Sequence, residues 1–183
     1  MKMVLAGLAL FLGGCASLES PDPASPHYVY SSGWAVRLNR PLTIPRDAAT
    51  VRLQYGEIVP RNSVQEYDPY CVVELNTVRA EPQVLKPGRF EVRRVTRRVE
   101  TLAATTSPYV KTRYVLDDTA PSFLYYKIEF RLRDPAQPDL RSMTCAWDQM
   151  APANRTLMRH LTLDEIRSAL GNWISLTPPR ENL

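Results

Sequence analysis

Residues 126–133 read YKIEFRLR, a stretch in which four apolar side chains alternate strictly with four charged ones. This period of two places the apolar side chains on one face and is typical of an antiparallel strand with one buried and one solvated side. Residues 134–139, DPAQPD, interrupt the pattern with two prolines, and a second strand pattern then leads into Cys145. Residues 123–148 therefore predict a β-hairpin with a proline-bearing loop.

The same alternation recurs on the N-terminal side of this hairpin. It is found near residues 34–38, 51–55, 70–76, 90–102 and 109–116. Proline-rich turns separate these runs, and the sequence between them has no helical pattern that could connect parallel strands. The sequence therefore predicts a mainly β fold, a single antiparallel β-sandwich or open barrel of about seven or eight strands.

One helix is predicted near the C-terminus, over about residues 162–172. Thr162 and Glu165 have the spacing of a capping box, in which each side chain binds the backbone N–H of the other residue. Apolar residues follow at helical spacing up to Trp173 and form one stripe. We expect this stripe to cover an open end or face of the sheet. The alternative is a helix that docks a partner, which an exposed Trp173 would favour.

The N-terminus carries a targeting pattern. Lys2 precedes a run of ten mostly apolar residues, 3–12, and Gly13-Gly14-Cys15 follows. The run is about half as long as a segment that spans a bilayer, so no transmembrane helix is expected. A positive start, a short apolar run and small residues are the parts of a secretory signal. With a leucine three positions before the cysteine, the pattern resembles the lipobox of bacterial lipoproteins; the alternative is an ordinary secretory signal with an incidental Cys15.

The resemblance to lipoproteins covers residues 1–15 and implies a location in the cell. Residues 1–14 would be removed as a signal peptide, Cys15 would be diacylated on its sulfur, and the new amino terminus would be acylated. Three acyl chains make such an anchor effectively permanent. Ala16 stands where the resemblance associates an aspartate with retention in the inner membrane. We therefore expect an outer-membrane protein whose domain faces the periplasm.

Two further regions follow the signal peptide. Residues 15–27 would form a lipidated tether, since they are rich in proline and serine and contain few apolar side chains that a core could bury. Such a segment is expected to be extended. Residues 28–183 are long enough for one β-rich globular domain with the C-terminal helix.

The two remaining cysteines, Cys71 and Cys145, are expected to form a disulfide. Period-two alternation places each of them on the apolar face of its strand, and the periplasm is oxidising. A bridge that closes a loop of about 75 residues contributes about 4 kcal/mol in the chain-entropy model. A redox or metal-binding pair is the alternative, which the lack of a CxxC motif and the small number of histidines disfavour.

The chain has a formal net charge of +4, and its basic residues are unevenly placed. Residues 79–113 contain nine basic and three acidic side chains. Arg93-Arg94 and Arg97-Arg98 are doubled, which shifts the alternation and indicates a β-bulge. Guanidinium groups side by side on a solvated face bind phosphates or carboxylates in a bidentate manner. These four arginines are therefore the candidate contact for an anionic ligand or partner; the alternative is a solvated strand without a ligand.

The sequence contains no motif that announces a reaction. It lacks GxSxG, HExxH, a P-loop and a dinucleotide fingerprint, so we expect no catalytic residue, no metal site and no cofactor. Asp117-Asp118, an adjacent acidic pair, is interpreted as a turn between strands.

Two classes of function remain. The first is a non-catalytic binding or assembly module for another envelope component, either a protein or an anionic polymer or lipid, and not nucleic acid. An edge strand, the basic strand or the terminal helix would make the contact. The second is an envelope hydrolase that uses His160 and a nearby carboxylate.

Overall fold

Ten strands and two short helices make up the described part of the chain. The computed structural model describes residues 19–30, 33–102, 122–151 and 158–179. The predicted signal peptide with Cys15, the predicted strand at residues 109–116 and the predicted turn at Asp117-Asp118 lie outside these residues. The elements are β1 (Ala35–Leu38), β2 (Leu42–Ile44), β3 (Ala48–Gln54), β4 (Glu57–Val59), a 3-10 helix (Arg61–Ser63), β5 (Tyr70–Arg79), β6 (Gln83–Leu85), β7 (Gly88–Leu102), β8 (Ser122–Arg133), β9 (Leu140–Ala151), α1 (Leu163–Leu170) and β10 (Ile174–Thr177).

Eight of these strands form one antiparallel sheet that curls into a half-barrel. Its strand order is β10-β1-β7-β8-β9-β5-β3-β4, and β2 pairs with β6 in a separate two-stranded sheet. The predicted class, mainly β with seven or eight strands in a sandwich or open barrel, is confirmed in its open-barrel form.

The hairpin predicted from YKIEFRLR is formed by β8 and β9. The two strands pair from Ser122↔Ala151 to Arg131↔Ser142, and the proline-bearing loop connects them. Tyr126, Ile128, Phe130 and Leu132 are all buried, as the alternation predicts. We call the face of the sheet that carries these side chains the inner face, and the opposite face the outer face.

A disulfide joins the neighbouring strands β5 and β9. Cys71 and Cys145 lie directly opposite each other in the antiparallel register, and both are fully buried. The bond Cys71–Cys145 links positions 74 residues apart in the chain. The predicted pairing is confirmed.

The helix α1 packs against β3, β5 and β10. Its capping box is present: Glu165 N–H donates to the Thr162 hydroxyl over 3.2 Å, and Thr162 N–H donates to the Glu165 carboxylate over 2.8 Å. Its apolar stripe is buried, which agrees with a covering role. Trp173 lies beyond the helix, half-buried, with the Arg40 guanidinium 4.8 Å from its ring centre. In the described part of the chain, no helix is long and apolar enough to cross a bilayer.

The described part of the predicted tether folds back on itself instead of extending. Ser20 N–H donates to the His27 carbonyl, and Val29 N–H donates to the Ser20 carbonyl, each over 3.1 Å. Leu163 N–H donates to the Pro23 carbonyl, also over 3.1 Å, at the beginning of α1. The side chains of neighbouring serine and aspartate residues accept hydrogen bonds from backbone N–H groups and support the turns. These local acceptors compete with the extended conformation that proline and serine content alone would favour.

Candidate anion-binding site

The predicted bulge in the basic strand is present. The register of β7 against β8 shifts between Val92 and Arg94. Because of this extra residue, Arg93 and Arg94 are both exposed to solvent. Arg93 lies 3.3 Å from the carboxylate of Glu91, whereas Arg94 has no ion pair within the described residues.

The second arginine pair is divided between the two faces of the sheet. Arg97 lies opposite Ile128 and therefore projects from the inner face, where it donates to the Tyr28 carbonyl and lies 5.5 Å from the Tyr30 ring centre. Arg98 projects from the outer face and forms an ion pair with Glu129. The four arginines predicted as one contact thus do not form one surface: Arg97 supports internal packing.

The topology brings together a different pair of arginines. Arg37 on β1 and Arg89 on β7 lie directly opposite each other. Their strand neighbours Val36, Leu38 and Phe90 are buried, so both arginines project from the outer face, and both are exposed. Directly opposed residues have Cβ atoms about 5 Å apart, and like charges at that distance destabilise a sheet. Neither arginine has an acidic partner within the described part of the chain.

A groove runs beside this pair at the end of β1 and the beginning of β7. It has a volume of about 480 Å³, and Arg37 and Arg89 form part of its lining with Asn39 and Gly88. The Asn39 side chain donates to the Ser175 hydroxyl over 2.9 Å, which fixes the rim of the groove against β10. Two guanidinium groups beside such a groove can bind one carboxylate or phosphate with paired hydrogen bonds.

The same positive charge continues along the outer face of β1, β7 and β8, which we call the basic face. Arg133 lies opposite Glu91, and Arg94 lies opposite Arg131, whose guanidinium is 3.5 Å from Glu129. The basic face thus has seven arginines, one lysine and three glutamates. They are Arg37, Arg89, Arg93, Arg94, Arg98, Arg131, Arg133, Lys127, Glu91, Glu100 and Glu129. This excess of cations on one solvated surface attracts anions from solution.

His160, the candidate catalytic residue of the hydrolase alternative, lies among aromatic and basic groups. Burial, the Arg97 guanidinium and the proximity of the His27 imidazole lower its pKa to about 4, and Tyr126 presents its ring edge-on at 5.4 Å. Its Nδ1 has no hydrogen-bond partner within the described residues. Glu165, in the first turn of α1, binds Arg159 instead. Within the described residues, no hydrogen bond joins the His160 imidazole to a carboxylate, which is the contact that the hydrolase alternative expects.

A second open surface lies at the edge of the sheet. β4 ends at Val59, opposite Arg52, so the β3 backbone before Arg52 has no partner in β4. A groove of about 550 Å³ runs along this free edge and is partly lined by Thr50, Ile58 and Val78. Of the three contact routes predicted from the sequence, the helix is covered, whereas the basic face and this edge are both accessible.

No family model matches the chain, and comparisons with curated proteins and with solved structures find no match either. The site is therefore interpreted from its geometry. Sequence reasoning missed Arg37 because this residue lies far in the chain from the basic segment 79–113, on which the predicted contact rested. Its solvated position in an alternating strand was visible in the sequence, but its pairing with Arg89 depends on which strands are neighbours.

Proposed function

We propose that this chain is a lipid-anchored, non-catalytic binding module of the bacterial cell envelope. Cys15 would hold it at the outer membrane, and the basic face would bind an anionic component in the periplasm. The lipobox pattern supports the anchor. The buried disulfide supports an oxidising compartment.

The observation that carries the proposed binding site is the Arg37–Arg89 pair. Two exposed cations face each other across adjacent strands, and no carboxylate within the described residues forms an ion pair with either of them. A bound anion would remove the repulsion between them and gain charge-assisted hydrogen bonds from both guanidinium groups. On the same strand, Arg93 and Arg98 each have a glutamate partner, which Arg37 and Arg89 lack.

The chemistry of the site defines the ligand by its acid groups. Paired guanidinium groups bind phosphates and carboxylates alike. Lipid A phosphates, peptidoglycan carboxylates and an acidic protein surface are therefore all candidate ligands. Binding at an exposed site of this kind depends on ionic strength and weakens as the Debye length falls to a few ångströms.

The binding test compares two double variants, each of which removes two positive charges. Arg37→Gln/Arg89→Gln removes the opposed pair, and the control Arg46→Gln/Arg61→Gln removes two exposed cations on the β3–β4 side of the sheet. Co-sedimentation with purified peptidoglycan sacculi, co-flotation with lipid A vesicles, and crosslinking in cells to capture an acidic protein partner test the three sources of anion. We expect binding to one of them, lowered at least about tenfold in the first variant, which corresponds to about 1.4 kcal/mol, and unchanged in the control.

Two results would contradict the proposed site. If neither the substitutions at Arg37 and Arg89 nor an increase in salt changes the affinity, the contact lies at the free edge of β3 instead. Loss of binding in the control variant with retention in the first would do the same, because Arg61 lines the groove at that edge.

The anchor is tested separately by mass spectrometry of the protein isolated from membranes. The wild-type chain is expected to begin at an acylated Cys15, and Cys15→Ser is expected to accumulate as an unlipidated, mislocalised precursor. A wild-type chain that begins at another residue would overturn the anchor.

A further inference from the structure

The attachment of the N-terminal segment to the domain determines how the domain faces its membrane. Backbone hydrogen bonds hold the segment that begins at Ser20. Ser20 N–H donates to the His27 carbonyl within the segment, and Leu163 N–H, at the beginning of α1, donates to the Pro23 carbonyl. Arg97 on β7 then binds the Tyr28 carbonyl. The part of residues 15–27 that the structure describes is therefore fixed at the level of Arg97, in the half of β7 that ends at Leu102 and away from the half that begins at Gly88.

Little chain is left between this fixed segment and the proposed anchor. Cys15 precedes Glu19 by four positions, and a fully extended chain covers at most about 14 Å over four residues. Building on the proposed lipidation of Cys15, we infer that the Ser20–Tyr28 end of the domain lies against the anchoring bilayer and that the Arg37–Arg89 groove faces away from it.

The groove lies at the opposite end of the strands. Tyr28 is bound at the level of Arg97, and Arg89 lies eight positions earlier in the same strand. At about 3.3 Å per residue this separation amounts to about 26 Å along β7. The β8–β9 loop lies beyond the level of Glu91, because Glu91 pairs with Arg133, the last residue of β8. The groove and this loop therefore share the end that points away from the anchor.

The orientation restricts the source of the anion. Phosphates of the leaflet that holds the acyl chains lie at the wrong end of the domain to reach Arg37 and Arg89. The acid groups that the groove binds would belong to a component on the periplasmic side, beyond the domain. At the anchored end, Val29 and Val99 are 37% and 50% exposed, which places apolar side chains where the lipid surface would cover them.

The orientation can be measured with the full-length lipidated protein in phospholipid vesicles. One fluorophore is attached at His27→Cys, at the anchored end, and in a second sample at Ala136→Cys, in the exposed β8–β9 loop. The native cysteines do not compete for the label, since Cys71 and Cys145 are paired. With a nitroxide quencher on the lipid headgroups, we expect quenching at position 27 to exceed quenching at position 136 several-fold. Inserting about twenty Gly/Ser residues after Ala16 should remove the difference, because such a linker adds about 25 Å of mean reach.

Flotation of the labelled protein with the vesicles is measured first. A protein that does not float overturns the anchor and, with it, this inference. A protein that floats but shows equal quenching at the two positions, or stronger quenching at position 136, overturns the orientation and leaves the anchor intact. A large difference that persists after the linker insertion would also contradict the inference, because the short connection would not be its cause.

Discussion

The stability of this protein should increase with pH between about 4 and 6.5, and His160 is the residue responsible. Burial, the Arg97 guanidinium and the proximity of the His27 imidazole lower the pKa of His160 from 6.5 to about 4. Since the folded-state pKa lies below that of the unfolded chain, the unfolded chain binds the additional proton in this range, and acid favours unfolding. The stabilisation is complete above about pH 6.5 and is lost as the pH falls toward 4.

The size of the effect follows from the two pKa values. At pH 5 the imidazole is almost fully protonated in the unfolded chain and almost fully neutral in the folded protein. Integrating the difference in bound protons from pH 7 to pH 5 gives about 1.8 kcal/mol for a fully effective shift. His160 is only half-buried, so solvent screening reduces the expected loss to about 1 kcal/mol.

Urea unfolding at pH 5 and pH 7 measures this loss for the wild type and for His160→Gln. Other groups titrate nearby: burial and Glu66 raise the pKa of Asp148, and the pKa of Glu165 is lowered because hydrogen bonds from Arg159 and the cap outweigh its burial. Both carboxylates are present in the variant, so their contributions cancel in the comparison. The wild type should lose about 1 kcal/mol more than the variant on acidification. Equal losses in the two proteins would show that His160 does not cause the pH dependence.

Three further predictions concern the fold. Replacing Cys71 and Cys145 together by alanine removes a link across 74 residues and should lower the free energy of unfolding by about 4 kcal/mol; an unchanged urea midpoint would contradict this. Gly171→Ala puts a Cβ 2.4 Å from the backbone of the facing glycine, at a φ of +53°, and should cost about 2 kcal/mol or more, which calorimetry would register as a lower melting temperature. Thr162→Ala removes the helix cap and should cost about 1 kcal/mol, whereas the exposed Ser168→Ala should change the midpoint little.

The features that could be predicted from the sequence are those that local patterns determine. Alternation identified the β8–β9 hairpin because each of its apolar positions is buried on one face. The disulfide followed from the core-facing positions of Cys71 and Cys145, which need no knowledge of strand order. The capping box followed from the spacing of Thr162 and Glu165, since both partners lie within one helical turn.

The features that could not be predicted depend on the backbone conformation of one residue, on the position of a bulge, or on contacts between residues far apart in the chain. Tyr55 continues the alternation of the β3 region, yet it lies in the tight β3–β4 turn with a φ of +55° and is 61% exposed. The doubled arginines indicated a bulge, but its position before Arg94 decides that Arg97 points inward and Arg98 outward. The attachment of the folded-back tether to α1 depends on Leu163, which lies far away in the chain.

Stability measurements can separate a binding site from a solvated face at the basic groove. Arg37 and Arg89 are opposed like charges, and such a pair costs about 0.5 kcal/mol relative to a neutral one. Arg37→Gln/Arg89→Gln should therefore raise the free energy of unfolding slightly while it lowers affinity for the anionic component. A solvated face without a ligand would show the gain in stability with no loss of binding. If the double variant is destabilised instead, the two arginines support the sheet, and the repulsion on which the proposed site rests is absent.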